Sequence, residues 1–381
     1  MKKILIVVPS CGTGGILTSL IALLNSTFVN RYRVNIFIMN GYGKRLNSTI
    51  AKYDIGCNYW MSKIHSYVFN TKGWKKLVLS FYKILFRIPI LGEKIAEIIE
   101  SSAIRKLEGL EYDCVISFQE VISLQFVSRF SNPNKIAWIH CDYSRIFTNE
   151  SNEMAIFSKY SKIVTVSNFT RKTFCQLLPQ LTERVFTIYN IMDADAILAK
   201  AKNEIDDNRF TLEEFTIISV GRISEVKQFH LIPQIALKLK SNGYSFKWYI
   251  IGGRNEPKAA CKLQQSIVDN NIGDKVICLG NKSNPYPYFK AANLLVSTSC
   301  SEACPMIFNE AKILGLPVVA NNYGAAYEFI KEGKDGFICP IARMADVIES
   351  IYDKKYSLKP AISKVFNNNI IQNKIDNIIN S

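Results

Sequence analysis

From Glu214 onward the chain alternates between short apolar runs and helical segments, and this alternation restricts the fold more than any other feature of the sequence. The runs are Phe215–Val220, Phe246–Ile251, Lys275–Leu279, Leu294–Thr298, Pro317–Ala320 and Phe337–Cys339. Strands apolar on both faces belong in a parallel sheet covered by helices on both sides, because consecutive parallel strands need a crossover connection. The first half repeats the pattern less regularly, with strands expected at Lys3–Val8, Arg33–Met39, Tyr112–Phe118, Lys135–Ile139, Lys162–Val166 and Arg184–Tyr189. At 381 residues the chain is longer than one core usually reaches, so the expected architecture is α/β with two Rossmann-like, doubly wound domains. The boundary is expected near residues 190–212, where NIMDAD meets the polar run KAKNEIDDNRF. The division is then 1–195 and 196–360, with 361–381 as a polar, helical tail, a segment that in folds of this kind crosses back onto the first domain.

Within the second half, SEACPMIFNEAKILGLPVVAN (Ser301 to Asn321) holds Glu302 and Glu310 with seven residues between them. Pro305 has the residue type favoured at a first helical position, and Gly315 with Pro317 marks a stop, so a helix is predicted from about Pro305 to Leu314. Ile307, Ala311 and Leu314 share its sheet-packed face and Glu310 falls at the edge of that face. Glu302 precedes the helix start, where unpaired amides and the macrodipole favour a phosphate. After the strand at Phe215–Val220 comes GRISEVKQF, in which Arg222 as a fork and Lys227 as a point charge can hold a diphosphate. Taken singly, each of these residues is more often a solvated surface charge.

The amino-terminal strand leads into a turn with Gly12, Gly14 and Gly15, but Leu17 stands where a dinucleotide fingerprint needs its third glycine. The second strand ends at Asn40 without an acidic residue for a ribose, which also disfavours a nicotinamide dehydrogenase. WIHCDY places His140 at the end of a parallel strand, the side on which α/β proteins bind ligands. Ser167-Asn168-Phe169-Thr170 is expected to open a helix by capping. Asp193-x-Asp195 is formally a D-x-D pattern, but it precedes a polar run and reads as linker. The ten cysteines contain no C-x-x-C pair and the three histidines lie far apart, so no metal is expected and a reducing cytoplasm suits the thiols. The apolar start is about six residues long, too short for a signal peptide, and no run reaches the roughly 18 residues of a membrane span.

The net charge is +15, and residues 1–100 carry fourteen Lys and Arg against four Asp and Glu. Between Lys63 and Lys94 seven basic residues alternate with Trp74, Phe81, Tyr82 and Phe86, and Leu77, Phe81 and Leu85 recur at helical spacing. Such a segment suits either an anionic membrane interface or an ordinary helix with a solvated basic face. No nucleic-acid motif accompanies the charge, so nucleic acid is not an expected partner.

Two glutamates seven residues apart, a helix, and then a Gly-x-Pro-Val-Val strand resemble the donor segment of the retaining glycosyltransferases of family 4. The resemblance covers most of the carboxyl-terminal half and is thin over the amino-terminal half. It implies the GT-B fold, two Rossmann-like domains facing each other across a cleft, and transfer of a sugar from a nucleotide diphosphate donor to a glycan or lipid-linked glycan. By resemblance Glu302 and the backbone of Ala303, Cys304, Pro305 and Met306, in which all but the proline offer an N–H, meet the donor sugar and phosphates, and Glu310 binds the ribose. Arg222 and Lys227 would hold the diphosphate, Gly14 and Gly15 would lie beneath it, Gly280 and Asn281 would meet the base, and His140 would reach the sugar. Ala303 stands where the family usually has glycine, which narrows the loop's backbone conformations. No general base stands out, in keeping with a same-face mechanism. Two other readings share the fold: a nucleotide-sugar epimerase, which needs acid and base residues not evident here, and a non-catalytic partner subunit, which need not keep Arg222, Lys227, Glu302 and Glu310.

Overall fold

The computed structural model describes residues 1–10, 14–40, 54–57, 89–254 and 256–381. The chain forms two compact units: Met1–Val166 with Arg171–Ile188 and Ile371–Ser381, and Ser167–Thr170 with Tyr189–Ile370.

The first unit is built on seven parallel strands: β1 (Lys3–Ser10), β2 (Arg33–Asn40), β3 (Asp54–Cys57), β4 (Cys114–Ser117), β5 (Lys135–Ile139), β6 (Lys162–Thr165) and β7 (Val185–Thr187), in the order β3-β2-β1-β4-β5-β6-β7. Leu5, Val7, Val115, Ala137 and Ile163 meet the rings of Phe126, Phe157 and Phe174 in one core. β3 was not expected. It has four residues, two of them Asp54 and Gly56, and pairs only with β2 at the sheet edge, so backbone register defines it more than apolar character does.

The second unit has six parallel strands: β8 (Phe215–Val220), β9 (Phe246–Ile251), β10 (Val276–Gly280), β11 (Leu294–Ser297), β12 (Val318–Asn321) and β13 (Gly336–Cys339), ordered β10-β9-β8-β11-β12-β13. Its core joins Ile217, Trp248, Ile250, Leu294, Val296 and Val319. The indole of the fully buried Trp248 donates to Ser219 Oγ at 3.0 Å, and Ser219 donates on to the Val296 carbonyl at 2.6 Å. The polar groups of this core are therefore paired. In both sheets the order reverses beside the first strand, between β1 and β4 and between β8 and β11, and ligands of doubly wound folds bind at that switch point.

The units divide at 188/189 rather than at 195/196. Asp193 caps a helix, Ala194–Lys200, by accepting the Ala196 N–H at 3.0 Å, and Met192 and Ile197 pack on Met306 of the second unit. The following run is not a free linker either. Lys282 pairs with Asp206 at 3.2 Å and Asp207 at 3.0 Å, while Arg209 forks Asp207 and donates to the Cys278 and Leu279 carbonyls at 3.2 and 3.1 Å. The final helix is Asn368–Asn380, and its Ile371, Ile375, Ile378 and Ile379 are buried. From that helix Asp376 pairs with Arg31 and accepts from the Tyr32 hydroxyl at 2.9 Å, within the first unit. Among the described residues no helix is long and apolar enough to cross a membrane. The basic segment between Lys63 and Lys94 lies outside the described residues as far as 88, and it is described only as backbone beyond that.

Candidate functional site

The richest chemistry lies at the carboxyl ends of β8, β11 and β12. Beyond β8 the backbone stays paired with the next strand's loop: Gly221 N–H donates to Ile251 O and Ile223 N–H to Gly253 O, both at 2.9 Å. A Cβ on Gly252 would stand 1.7 Å from the Gly221 carbonyl oxygen, so only glycine permits this approach. Gly221 itself has φ +148°, and the Lys227 side chain crosses it. The loop is then tied to the end of β11, where Cys300 N–H donates to Val226 O at 2.9 Å and Thr298 Oγ1 to Lys227 O at 2.7 Å.

These ties set Lys227 against Glu302. Lys227 Nζ donates to Glu302 Oε1, and Ser299 Oγ donates to the same oxygen at 2.8 Å. Both charged side chains are partly buried, at 18% and 17% exposure, so solvent screens the pair less than a surface pair. Arg222 is exposed, with no ion pair among the described residues. A cation without a fixed partner and a second cation held by one carboxylate are ready for an anion.

The helix that follows is Met306–Ile313, one residue shorter at each end than expected, with Pro305 as its cap residue and not its first turn. Its start leaves amides with no intrahelical partner, pointing where an anion is favoured. Ala303 is accommodated without a left-handed φ. It is buried, as is Met306, and burial raises the Cys304 thiol to about 12 while Asn190 hydrogen-bonds it.

Glu310, expected at the edge of the sheet-packed face, is buried, at 8% exposure, and the Tyr286 hydroxyl donates to its Oε1 at 3.3 Å. Burial raises its carboxyl to about 7, against lowering by Tyr286 and then Lys227. The face assumed from Ile307, Ala311 and Leu314 is too narrow, because Phe308, Asn309 and Lys312 are buried while Ile307 and Leu314 are only partly so. Lys312 is tolerated inside because Asp335 pairs with it at 2.9 Å and the Phe329 carbonyl accepts from it. Gly280 has φ +79° and ends β10, followed by the exposed Asn281.

The remaining predicted residues belong to the first unit. Gly14, with φ +150°, caps the helix Gly15–Asn25 after β1, and a Cβ on either glycine meets nothing within 4 Å among the described residues. His140 follows β5, its ring 4.6 Å from that of Phe118, and burial lowers it to about 3, so it is neutral. Its Nε2 is shut from solvent with no hydrogen-bond partner among the described residues. Glu120, which sequence reasoning missed, accepts the amides of His140 and Cys141, the latter at 2.8 Å, and holds the chain turn there. Glu328 was missed too. In the second unit it accepts the Asn168 amide at 2.9 Å, the Phe169 amide and the Tyr189 hydroxyl at 2.7 Å, while Ser167 Oγ accepts the Thr170 amide at 3.1 Å as the capping pattern implies. Nothing near these carboxylates in sequence signals such contacts. For the Gly221–Gly252 approach, the glycines that end β8 and β9 are a readable sign. No group of three His, Cys, Asp or Glu among the described residues could hold a metal ion.

Comparison with known proteins gives this geometry a context. Residues 200–365 match the model of the glycosyl transferases group 1 family. An uncharacterized glycosyltransferase of Methanocaldococcus jannaschii is 27% identical over 260 residues, 65% of this chain and 61% of that protein. The poly(ribitol-phosphate) alpha-N-acetylglucosaminyltransferase of Staphylococcus aureus is 25% identical over 233 residues, 59% of this chain and 44% of that one. Anabaena HepE, solved with UDP and glucose, superposes with a TM-score of 0.72 at 19% identity over 100% of both chains. S. aureus TarM superposes at 0.71 with 17% identity, covering 100% of this chain and 99% of that one. The two sheets are thus those of the GT-B fold.

Proposed function

We propose that the chain is a group 1 glycosyltransferase, the family whose model residues 200–365 match, and that it moves a sugar from a nucleoside diphosphate donor to a hydroxyl of a glycan or lipid-linked glycan, with retention at the anomeric carbon. The observation that carries this reading is the meeting, at the switch point of the second sheet, of the Lys227–Glu302 pair, the exposed Arg222 and the start of the helix Met306–Ile313. Arg222, Lys227 and the N–H groups of Ala303, Cys304 and Met306 take the diphosphate, with Pro305, which has no N–H, shaping the loop between them, while Glu302 takes the sugar, Glu310 the ribose, and Gly280 with Asn281 the base. By the family resemblance alone, Gly14 and Gly15 are assigned to the phosphates and the neutral His140 imidazole to the sugar. In the reaction the bond from the anomeric carbon to the diphosphate oxygen breaks, and a bond to the acceptor oxygen forms on the same face. The acceptor proton passes to the departing diphosphate, whose growing charge the cations and helix start stabilise. Relatives named for poly(ribitol-phosphate) and capsular polysaccharide synthesis support a surface polysaccharide as the product class.

A panel of nucleoside diphosphate sugars, UDP-sugars first, tests the donor assignment by thermal shift. Saturation at about a hundred times Kd stabilises by about 2.7 kcal/mol. If none shifts the melting temperature, the donor assignment is wrong. With the active donor, turnover is expected to persist in EDTA, since the residues named supply the positive charge. Loss that Mg²⁺ or Mn²⁺ restores refutes metal independence. We also assign residues 63–94 to an anionic membrane surface, on the inner face of the cell membrane, from their seven basic residues and interleaved aromatics. Co-flotation with anionic liposomes at low salt is expected. Its absence, or no change on neutralising Lys75, Lys76, Lys83 and Arg87, refutes it.

A further inference from the structure

Tyr323 lies just past β12, whose Asn321 Nδ2 donates to the Ser299 carbonyl at 3.1 Å and so holds this loop against the one carrying Glu302. The Tyr323 side chain is nearly closed off, at 7% exposure, and its hydroxyl has no hydrogen-bond partner among the described residues. A buried hydroxyl left unpaired destabilises a fold, and a phenylalanine in its place would avoid that cost. The charged or titratable groups nearest in effect are Glu302 and Cys304, which flank the helix start. Burial first, and then those two groups, keep the phenol well above its usual range, so it remains a proton donor at every working pH.

Glu302 offers the complement. Lys227 and Ser299 both donate to Oε1, so Oε2 is the oxygen left for a ligand. The Asn321–Ser299 bond ties together the loops that carry these two groups, and a carboxylate oxygen with a phenol hydroxyl makes a poor place for a phosphate, which the carboxylate repels. It is a good place for a sugar hydroxyl, which can donate to the carboxylate and accept from the phenol. We propose that Tyr323 is a donor-binding residue that, together with Glu302, holds a hydroxyl of the transferred sugar and so contributes to the choice of sugar. The inference rests on the donor-site reading above and adds a contact to it that the diphosphate does not share.

The test compares wild type with Tyr323→Phe for binding of UDP alone and of UDP-glucose and UDP-N-acetylglucosamine, by calorimetry or thermal shift. The variant is expected to bind UDP as wild type does and to lose roughly three- to tenfold affinity for the sugar nucleotide that wild type prefers, the size of one lost hydrogen bond. Without ligand it is expected to melt at or above the wild-type temperature, because the unpaired hydroxyl is gone. Equal affinity of the two proteins for the sugar nucleotide overturns the proposal, and so does an equal loss for UDP, which would place the hydroxyl on the phosphates or in the packing. If wild type binds no nucleoside diphosphate sugar of the panel above, the donor-site reading fails, and the contact fails with it.

Discussion

The two sheets share one topology around their switch points, yet the loops there carry opposite chemistry. In the second unit the ends of β8 and β11 bring together charges that are partly exposed: Lys227 on Glu302, with the exposed Arg222, which has no ion pair among the described residues, in the loop after β8. In the first unit the end of β4, which borders the switch point, meets the end of the adjacent β5 in groups that burial pushes toward neutrality. Glu120 is raised by burial and spends its hydrogen bonds on the amides of His140 and Cys141, and His140 is lowered to about 3 by burial. The strand order says where a ligand goes, and the loop residues decide whether that place handles an anion or a neutral polyol.

The largest expected effect comes from removing the cation of the charged end. If Lys227 neutralises a diphosphate whose charge grows as the glycosidic bond breaks, it matters more in the transition state than in the ground state. Lys227→Ala is therefore expected to lower kcat by about 10²-fold or more, the order seen for loss of one preorganised electrostatic group. The same change leaves Glu302 with only its Ser299 hydrogen bond, so steady-state kinetics must be read beside a melting curve showing a folded protein. A variant that keeps its kcat and changes only KM would remove the distinction drawn between the two switch points.

What the sequence showed, and what it hid, follows the same division. The alternating apolar runs located β8 to β13 within a residue or two, because a strand covered on both faces must be apolar along its whole length. The short edge strand β3 carries no such demand and left no signal. Arg222, Lys227 and Glu302 were legible because their chemistry depends on the strand ends they follow. The extent of burial of Glu310 was not readable: it depends on Tyr286, 24 positions earlier, just as that of Lys312 depends on Asp335. Buried polar groups are decided by partners in other elements, and helical periodicity cannot see them. The buried hydroxyl of Tyr323, unpaired among the described residues, left no signal for the same reason, since an isolated tyrosine after a strand reads as one more core ring.

The smaller effect sharpens the comparison through pH. Glu310 faces the Tyr286 hydroxyl and Lys227, and burial holds its carboxyl at about 7, so near neutrality it is divided between its charged and neutral forms. Only the carboxylate accepts hydrogen bonds from both ribose hydroxyls, so the donor KM is expected to fall as pH rises through about 7. Fold stability moves the other way. A carboxyl raised above its ordinary 4.5 contributes stability that is fully present below 4.5 and is lost as pH rises through about 7. His140 is lowered, so its contribution is present above its ordinary 6.5 and is lost as pH falls from there toward 3, and in the folded protein it changes no charge between pH 5 and 8. The ribose is unchanged by the reaction, so Glu310→Gln is expected to raise the donor KM about tenfold, as for a lost charge-assisted hydrogen bond, with a smaller effect on kcat. The variant should also lose the inflection near 7 in donor KM. Should that inflection survive in Glu310→Gln and vanish in His140→Gln, the titrating group would belong to the first unit, and the contrast between a charged and a neutral switch point would have to be reversed.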